Sequence, residues 1–176
     1  MYDDLKKYIR SVKDFPKQGI MFRDITTLLK NPTMLKMSLN NLLSFTENIH
    51  IDKVAGIESR GFIFGPMMAQ QLNAGFVPIR KPGKLPAEKI KVEYSLEYGT
   101  DALEIHKDSI LPGESVLVHD DLLATGGTAE AACKLIETLG GEVVQLSFII
   151  ELSFLRGRDK LKKYVVNSII KYSDEN

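Results

Sequence analysis

The sequence predicts an α/β protein with a mostly parallel central sheet and helices on both faces. Three observations carry this. Apolar runs of strand length recur around residues 54–57, 76–80, 116–118, 143–150 and 165–170. Segments with helical spacing lie between several of them, and Gly or Pro marks many of the junctions. Strands joined through helices run parallel, because a crossover returns the chain to the same end of the sheet.

Taken in order, the first dozen residues place Leu5, Tyr8, Ile9 and Val12 on one side of a short amphipathic helix. Residues 15–19, FPKQG, form a turn. Asn31-Pro32 reads as an N-cap with Pro at the first helical position, and Leu35, Leu39, Leu42 and Leu43 continue that helix. A buried strand at 54–57, a helix through 64–72 and a strand at 76–80 follow. Residues 81–91 break the rhythm. Segments 91–96 and 102–106 pair as a hairpin around Tyr98-Gly99-Thr100. The strand at 116–118 leads into a helix through 129–139, with Ala129, Cys133, Ile136 and Leu139 inward and Gly140 as its stop. Strands at 143–150 and 165–170 complete one domain over residues 1–176.

Bulk properties narrow the function. Hydrophobic residues are 44% and charged residues 26% of the 176, ordinary for a globular domain. The 23 Lys and Arg balance 23 Asp and Glu, so no net field draws the chain to nucleic acid or membrane. Cys133 is alone, which excludes an intramolecular disulfide and zinc held by paired Cys. The start lacks a signal-like apolar core, and the most apolar stretches, 62–69 and 143–150, are too short to span a membrane. A cytoplasmic setting is expected. His50, His106 and His119 show no metal-ligand spacing.

The strongest chemical signal is VLVHDDLLATGGT, residues 116–128. A buried strand is read as ending in Asp120 and Asp121, followed by a loop with two Thr and two Gly and then a helix. Ligands of parallel sheets bind at the carboxyl ends of strands. Glycines admit a phosphate to the backbone, and the helix start offers free N–H groups. The carboxylates would repel that phosphate but suit ribose hydroxyls, so a phosphorylated sugar fits both. Both acids are expected to face solvent at the ligand site. The string is neither a P-loop nor a dinucleotide fingerprint.

This string resembles the phosphoribosyl pyrophosphate-binding motif of type I phosphoribosyltransferases, in its adenine phosphoribosyltransferase form. FPKQGIMFRDIT (15–26), ESRGFIFG (58–65), RKPGKLP (80–86) and YSLEYG (94–99) match that subfamily in order. His119 and Met21 depart slightly from its pattern. The resemblance implies the type I phosphoribosyltransferase fold, with an N-terminal hood at about 1–33 that binds the base and a flexible lid at 81–100. It implies that Asp120 and Asp121 hold the ribose hydroxyls while Ala124, Thr125, Gly126, Gly127 and Thr128 wrap the 5-phosphate. Glu58, Ser59 and Arg60, where the family often has a cis peptide, would form the pyrophosphate loop with Arg80, Lys81 and Lys84. Gly56, Gly61 and Gly65 beside that loop favour close ligand approach. Residues 80–91 carry five cations against Glu88 alone, which reads as a mobile phosphate-binding lid.

Met21, Phe22, Arg23 and Leu152 are implied around adenine, Phe22 by stacking and Arg23 through its backbone. Glu97 is the implied acid–base group, and Tyr98 orders the closed lid. The implied reaction joins adenine to phosphoribosyl pyrophosphate, giving AMP and pyrophosphate, with Mg²⁺ carried mainly on substrate oxygens and the protein a homodimer. Two alternatives stay open: the same fold acting on another base, or a non-enzymatic phosphoribosyl pyrophosphate sensor that binds DNA. Residues 1–14 are too short for a DNA-reading module.

Overall fold

The computed structural model of the chain describes residues 2–95 and 100–175. The chain opens with α1 (Tyr2–Lys6), then a small antiparallel hairpin of β1 (Arg10–Lys13) and β2 (Met21–Asp24). The expected N-terminal helix therefore stops early. Leu5 and Ile9 are buried as its spacing implies, but Val12 lies in β1 opposite Phe22. The turn at residues 14–20 folds β2 back onto β1, and ladder bonds replace helical ones.

After α2 (Thr26–Leu29) comes α3 (Pro32–Ser44), whose start is as read. Asn31 Oδ1 accepts from the N–H groups of Thr33 at 3.0 Å and Met34 at 3.2 Å, with Pro32 at the first helical position. The chain then runs through β3 (Lys53–Ile57), α4 (Gly61–Gln71) and β4 (Gly75–Ile79). The antiparallel hairpin of β5 (Lys89–Ser95) and β6 (Thr100–His106) follows; most of its expected turn lies outside the described residues. Next come β7 (Ser115–Leu123), α5 (Gly127–Thr138), β8 (Glu142–Leu152), two short 3₁₀ turns at Ser153–Leu155 and Gly157–Leu161, and β9 (Val166–Tyr172).

Five strands form one parallel sheet in the order β4-β3-β7-β8-β9. Alternation along β7 sends Val116 and Val118 into a core shared with α5 and the β5–β6 hairpin. Leu117 enters the opposite core, beneath α3 and α4. Helices on both faces are thus borne out. Leu117 and Phe64 are fully buried, each such side chain contributing about 1.5–3 kcal/mol. Gly140, at φ 89°, ends α5 as expected.

One boundary is corrected. β7 does not end at the carboxylates but continues through them to Leu123, because the long β8 keeps offering partners: Phe148 to Asp120, Ile150 to Leu122 and Glu151 to Leu123. No helix among the described residues is long and apolar enough to cross a membrane.

Candidate active site

Because all strands of the main sheet are parallel, their carboxyl ends converge on one edge. There β7, the loop after it and α5 line a cavity of about 200 Å³, with Asp120, Asp121, Leu122, Thr125, Gly126 and Arg60 among its walls. Successive strand residues point to opposite faces, so the two acids differ. Asp120 is partly exposed, and its Oδ1 accepts from the Asp121 N–H at 2.8 Å. Asp121 is only 3% exposed, and its Oδ2 lies 3.1 Å from Arg60 Nε in an ion pair. The expectation that both face solvent is corrected: the continued strand turns Asp121 inward. Desolvation of its carboxyl in the cavity wall, with Asp121 beside it, holds Asp120 well above the usual range. Burial also raises Asp121, partly offset by Arg60.

The loop of residues 124–126 turns on Gly126, at φ 81°. A Cβ there would meet the Gly157 carbonyl oxygen at 2.4 Å, and one on Gly157 would meet that of Ala124 at 2.2 Å. This loop, expected to wrap a phosphate, is therefore braced by the backbone of Gly157. Sequence reasoning missed this residue, and its only signal was an isolated Gly between two Arg. Gly126 precedes α5 with no side-chain cap, so the first amides of that helix are left to a ligand or solvent. Ala124, Thr125, Gly126 and Thr128 line the cavity, and buried Gly127 starts the helix. Leu122, also in its wall, was read only as part of the motif.

The Glu58-Ser59 peptide is cis. Gly56, Gly61 and Gly65 have a different role from the one expected. A Cβ on Gly56 or Gly65 would strike the Phe76 ring at 2.7 Å, and one on Gly61 would strike the His119 carbonyl oxygen at the same distance. The close approach they permit is to the protein itself, seating α4 against β4 and β7.

Three cations of the expected lid, Arg80, Lys81 and Lys91, pair with acids outside residues 80–91, which corrects the picture of five cations facing one anion. Glu58 accepts from Arg80 Nε at 3.2 Å, Arg80 Nη2 at 3.3 Å and the Lys81 N–H at 2.9 Å. Arg80 foremost holds its carboxyl below the usual range despite desolvation. Lys81 Nζ donates to Tyr94 Oη at 3.1 Å and pairs with Asp101. Lys91 pairs with Glu93 at 2.8 Å, and Gly83 N–H donates to Glu104 at 3.0 Å. Glu93, Asp101 and Glu104 sit on the β5–β6 hairpin and Glu58 in the loop after β3, all outside residues 80–91, so a count within that run could not see them. Lys84 presents its carbonyl to Arg80 Nη1 at 3.4 Å, and its charge is felt at Glu58.

A second cavity, of about 160 Å³, is lined by Met21, Arg23 and Leu152 together with Ile20, Phe154 and Glu175. Phe22 lies on the other face of β2, 5.1 Å from the Arg60 guanidinium and edge-on to Phe15 at the same distance. The structure thus gathers three of the four base-site candidates and sets Phe22 toward Arg60. Arg23 is 5% exposed. Its guanidinium donates to Ser11 and to the Glu175 carbonyl at 2.8 Å and lies 4.0 Å over the Tyr172 ring. That anchoring leaves its backbone as the part suited to reading a base.

Glu97 and Tyr98 lie outside the described residues. His119 is fully buried and its Nδ1 meets the Ser147 carbonyl at 3.1 Å; burial depresses its pKa to about 4, so it is a neutral core residue. Among the described residues no group of three or more His, Cys, Asp or Glu could hold a metal. Asp120, the open acid of the pair, fits the single protein ligand Mg²⁺ needs when substrate oxygens supply the rest, whereas Asp121 is turned inward to Arg60.

Comparison with known proteins identifies the family. The model of the phosphoribosyl transferase domain matches residues 24–175. The chain is 57% identical to the adenine phosphoribosyltransferase of Christiangramia forsetii, over 97% of this chain and 99% of that one. It superposes on the crystal structure of adenine phosphoribosyltransferase from Thermoanaerobacter pseudethanolicus with a TM-score of 0.96, at 51% identity and covering 98% and 100% of the two chains. The Saccharomyces cerevisiae enzyme, solved with an imino-altritol bisphosphate and adenine, gives a TM-score of 0.90 at 40% identity, covering 96% and 97%. The chain belongs to the phosphoribosyl transferase domain family, in its adenine phosphoribosyltransferase branch.

Proposed function

We propose that this site joins adenine to the 5-phosphoribosyl group of phosphoribosyl pyrophosphate, giving AMP and pyrophosphate. The observation that carries the reading is the carboxylate pair within the last residues of β7, beside the braced, uncapped start of α5. Those uncapped amides take the 5-phosphate with residues 124–128, and Asp120 takes the ribose hydroxyls. Asp121, held by Arg60, shapes the cavity floor and ties it to the pyrophosphate loop of Glu58, Ser59 and Arg60. Arg80, Lys81 and Lys84 complete the cationic wall beside that loop. Met21, Phe22 and Arg23, within a hood of about residues 1–33, form the base site together with Leu152 at the end of β8.

In the reaction adenine N9 bonds to C1 of the sugar as the C1–oxygen bond to pyrophosphate breaks and carries its electron pair away. Positive charge gathers on the ring in between, as in glycoside cleavage, and cationic side chains stabilise the departing anion. Glu97 takes the N9 proton, and Tyr98 orders the lid of residues 81–100 over it. Mg²⁺ would enter with the substrate, carried mainly on its oxygens with Asp120 as the open protein acid, and would neutralise phosphate charge. We further assign the protein to the cytoplasm as a homodimer, its lid leaning on the partner subunit; sedimentation of a fully active monomer would overturn the second point. The deciding assay measures nucleotide formation from phosphoribosyl pyrophosphate with adenine, hypoxanthine, guanine and xanthine in turn. Adenine alone should turn over efficiently; a preference for another base would refute the assignment.

A further inference from the structure

Lys81 stands at the ligand edge of the sheet, directly after β4, and its backbone N–H is tied to Glu58 of the pyrophosphate loop. Its ammonium, however, is engaged by the chain's own anion. It pairs with Asp101 at the start of β6 and donates to Tyr94 Oη, which itself donates to Asp101 Oδ2 at 3.2 Å. Tyr94 is 9% exposed and fixes the floor of this triangle. The side chains of Lys81 and Asp101 remain 38% and 29% exposed. The second Asp101 oxygen accepts from the Ala102 N–H at 2.7 Å, so the acid is held whether or not Lys81 stays.

A partly exposed single ion pair is weak, in the range measured for surface pairs. A pyrophosphate carries several negative charges and would outbid one carboxylate for the same ammonium. We propose that Asp101, set by Tyr94, is a stand-in anion: it holds Lys81 in place and yields it to the pyrophosphate group, and so sets how tightly the site keeps that group. This rests on the reading of the site as one that binds phosphoribosyl pyrophosphate. Asp101 acts through Lys81 and is a positioning residue. Arg80 differs, because Glu58 also takes the Lys81 backbone N–H and is more deeply buried than Asp101. The exchangeable pair is Lys81 with Asp101. The pair also presses Lys81 toward its charged form, consistent with an ammonium kept ready for an anion.

The test measures pyrophosphate affinity by calorimetry in magnesium buffer, and the KM for phosphoribosyl pyrophosphate, on the whole protein. Asp101→Asn removes the competing charge and keeps the shape. It should bind pyrophosphate about two- to fivefold more tightly, the worth of a partly exposed pair, and KM should fall by a similar factor. kcat should not rise, because pyrophosphate leaves more slowly. Asp101→Glu should restore wild-type values, and Lys81→Met combined with Asp101→Asn should erase the gain. Asp101→Ala, run in parallel, should show the same tightening and covers any folding defect of the first variant. Unchanged or weaker binding in folded Asp101→Asn and Asp101→Ala, with wild type binding normally, would overturn the stand-in role alone. Wild type that binds neither pyrophosphate nor phosphoribosyl pyrophosphate would instead overturn the reading of the site, and this inference with it.

Discussion

Replacing Gly126 with Ala separates two demands that the proposed phosphate loop makes on one residue. The first is backbone conformation: at φ 81°, an L side chain costs about 1–2 kcal/mol. The second is space, since the new Cβ would lie 2.4 Å from the Gly157 carbonyl oxygen and the loop or the 157 turn must move. Overpacking of this kind costs about 1–3 kcal/mol more. Gly113 supplies the control. Its φ is 85°, yet nothing lies within 4 Å of its Cβ position, and it precedes β7 at the end of the sheet away from the site. Gly113→Ala should therefore lose only the conformational part. In a chain of this size, about 2–4 °C of Tm goes with each kcal/mol. Gly113→Ala should melt about 2–8 °C early, and Gly126→Ala a further 2–12 °C earlier. Calorimetry should also find phosphoribosyl pyrophosphate affinity unchanged in the first and at least about tenfold weaker in the second, because the amide cradle is displaced. Equal melting losses with equal affinities would refute the bracing of the loop by Gly157.

Two further outcomes concern the acids. Asp120 has a raised folded-state pKa, so the native state binds its proton more tightly than the unfolded chain; the resulting stability is present below the ordinary carboxylate value near 4 and is lost as pH rises through the raised one. Asp120→Asn should accordingly match wild type in urea melts at acid pH, exceed it at pH 7, and lose phosphoribosyl pyrophosphate affinity; lower stability at pH 7 would contradict this electrostatic account. Glu97→Gln should slow single-turnover chemistry by about 10²–10⁴-fold with pyrophosphate affinity intact, and a variant within a few-fold of wild type would remove Glu97 from the chemistry.

The parallel sheet was legible because its information is local: Val116, Leu117 and Val118 are apolar wherever they go, and Asn31-Pro32 caps a helix without outside help. The first helix was misjudged for the converse reason. Leu5, Ile9 and Val12 keep helical spacing, yet residues 10–13 find a partner in β2, which no pattern within the first dozen residues encodes. β7 overran its expected end because Phe148, Ile150 and Glu151 lie alongside, and that pairing overrides the low strand preference of Asp. At the site, Asp120, Asp121 and the Gly126 turn could be found from spacing. Gly157 and Asp101 could not, since each acts on a residue more than 15 positions away through a contact that only the folded chain creates.

The strand order has a consequence for how this protein comes together. Passing from β3 to β7, the winding of the sheet reverses, with β4 lying to one side and β8 and β9 to the other. Within the sheet the two halves join where β3 and β7 pair, and the Arg60–Asp121 ion pair spans that seam at the ligand edge. Crevices at such reversals are the natural berth for ligands in open α/β sheets. A molecule seated there touches the turn after β3 from one half and the β7–α5 loop from the other, clamping two segments that loop closure must otherwise bring together unaided. Substrate would thus act as a keystone, raising resistance to unfolding by mass action and slowing amide exchange most along the β3–β7 seam.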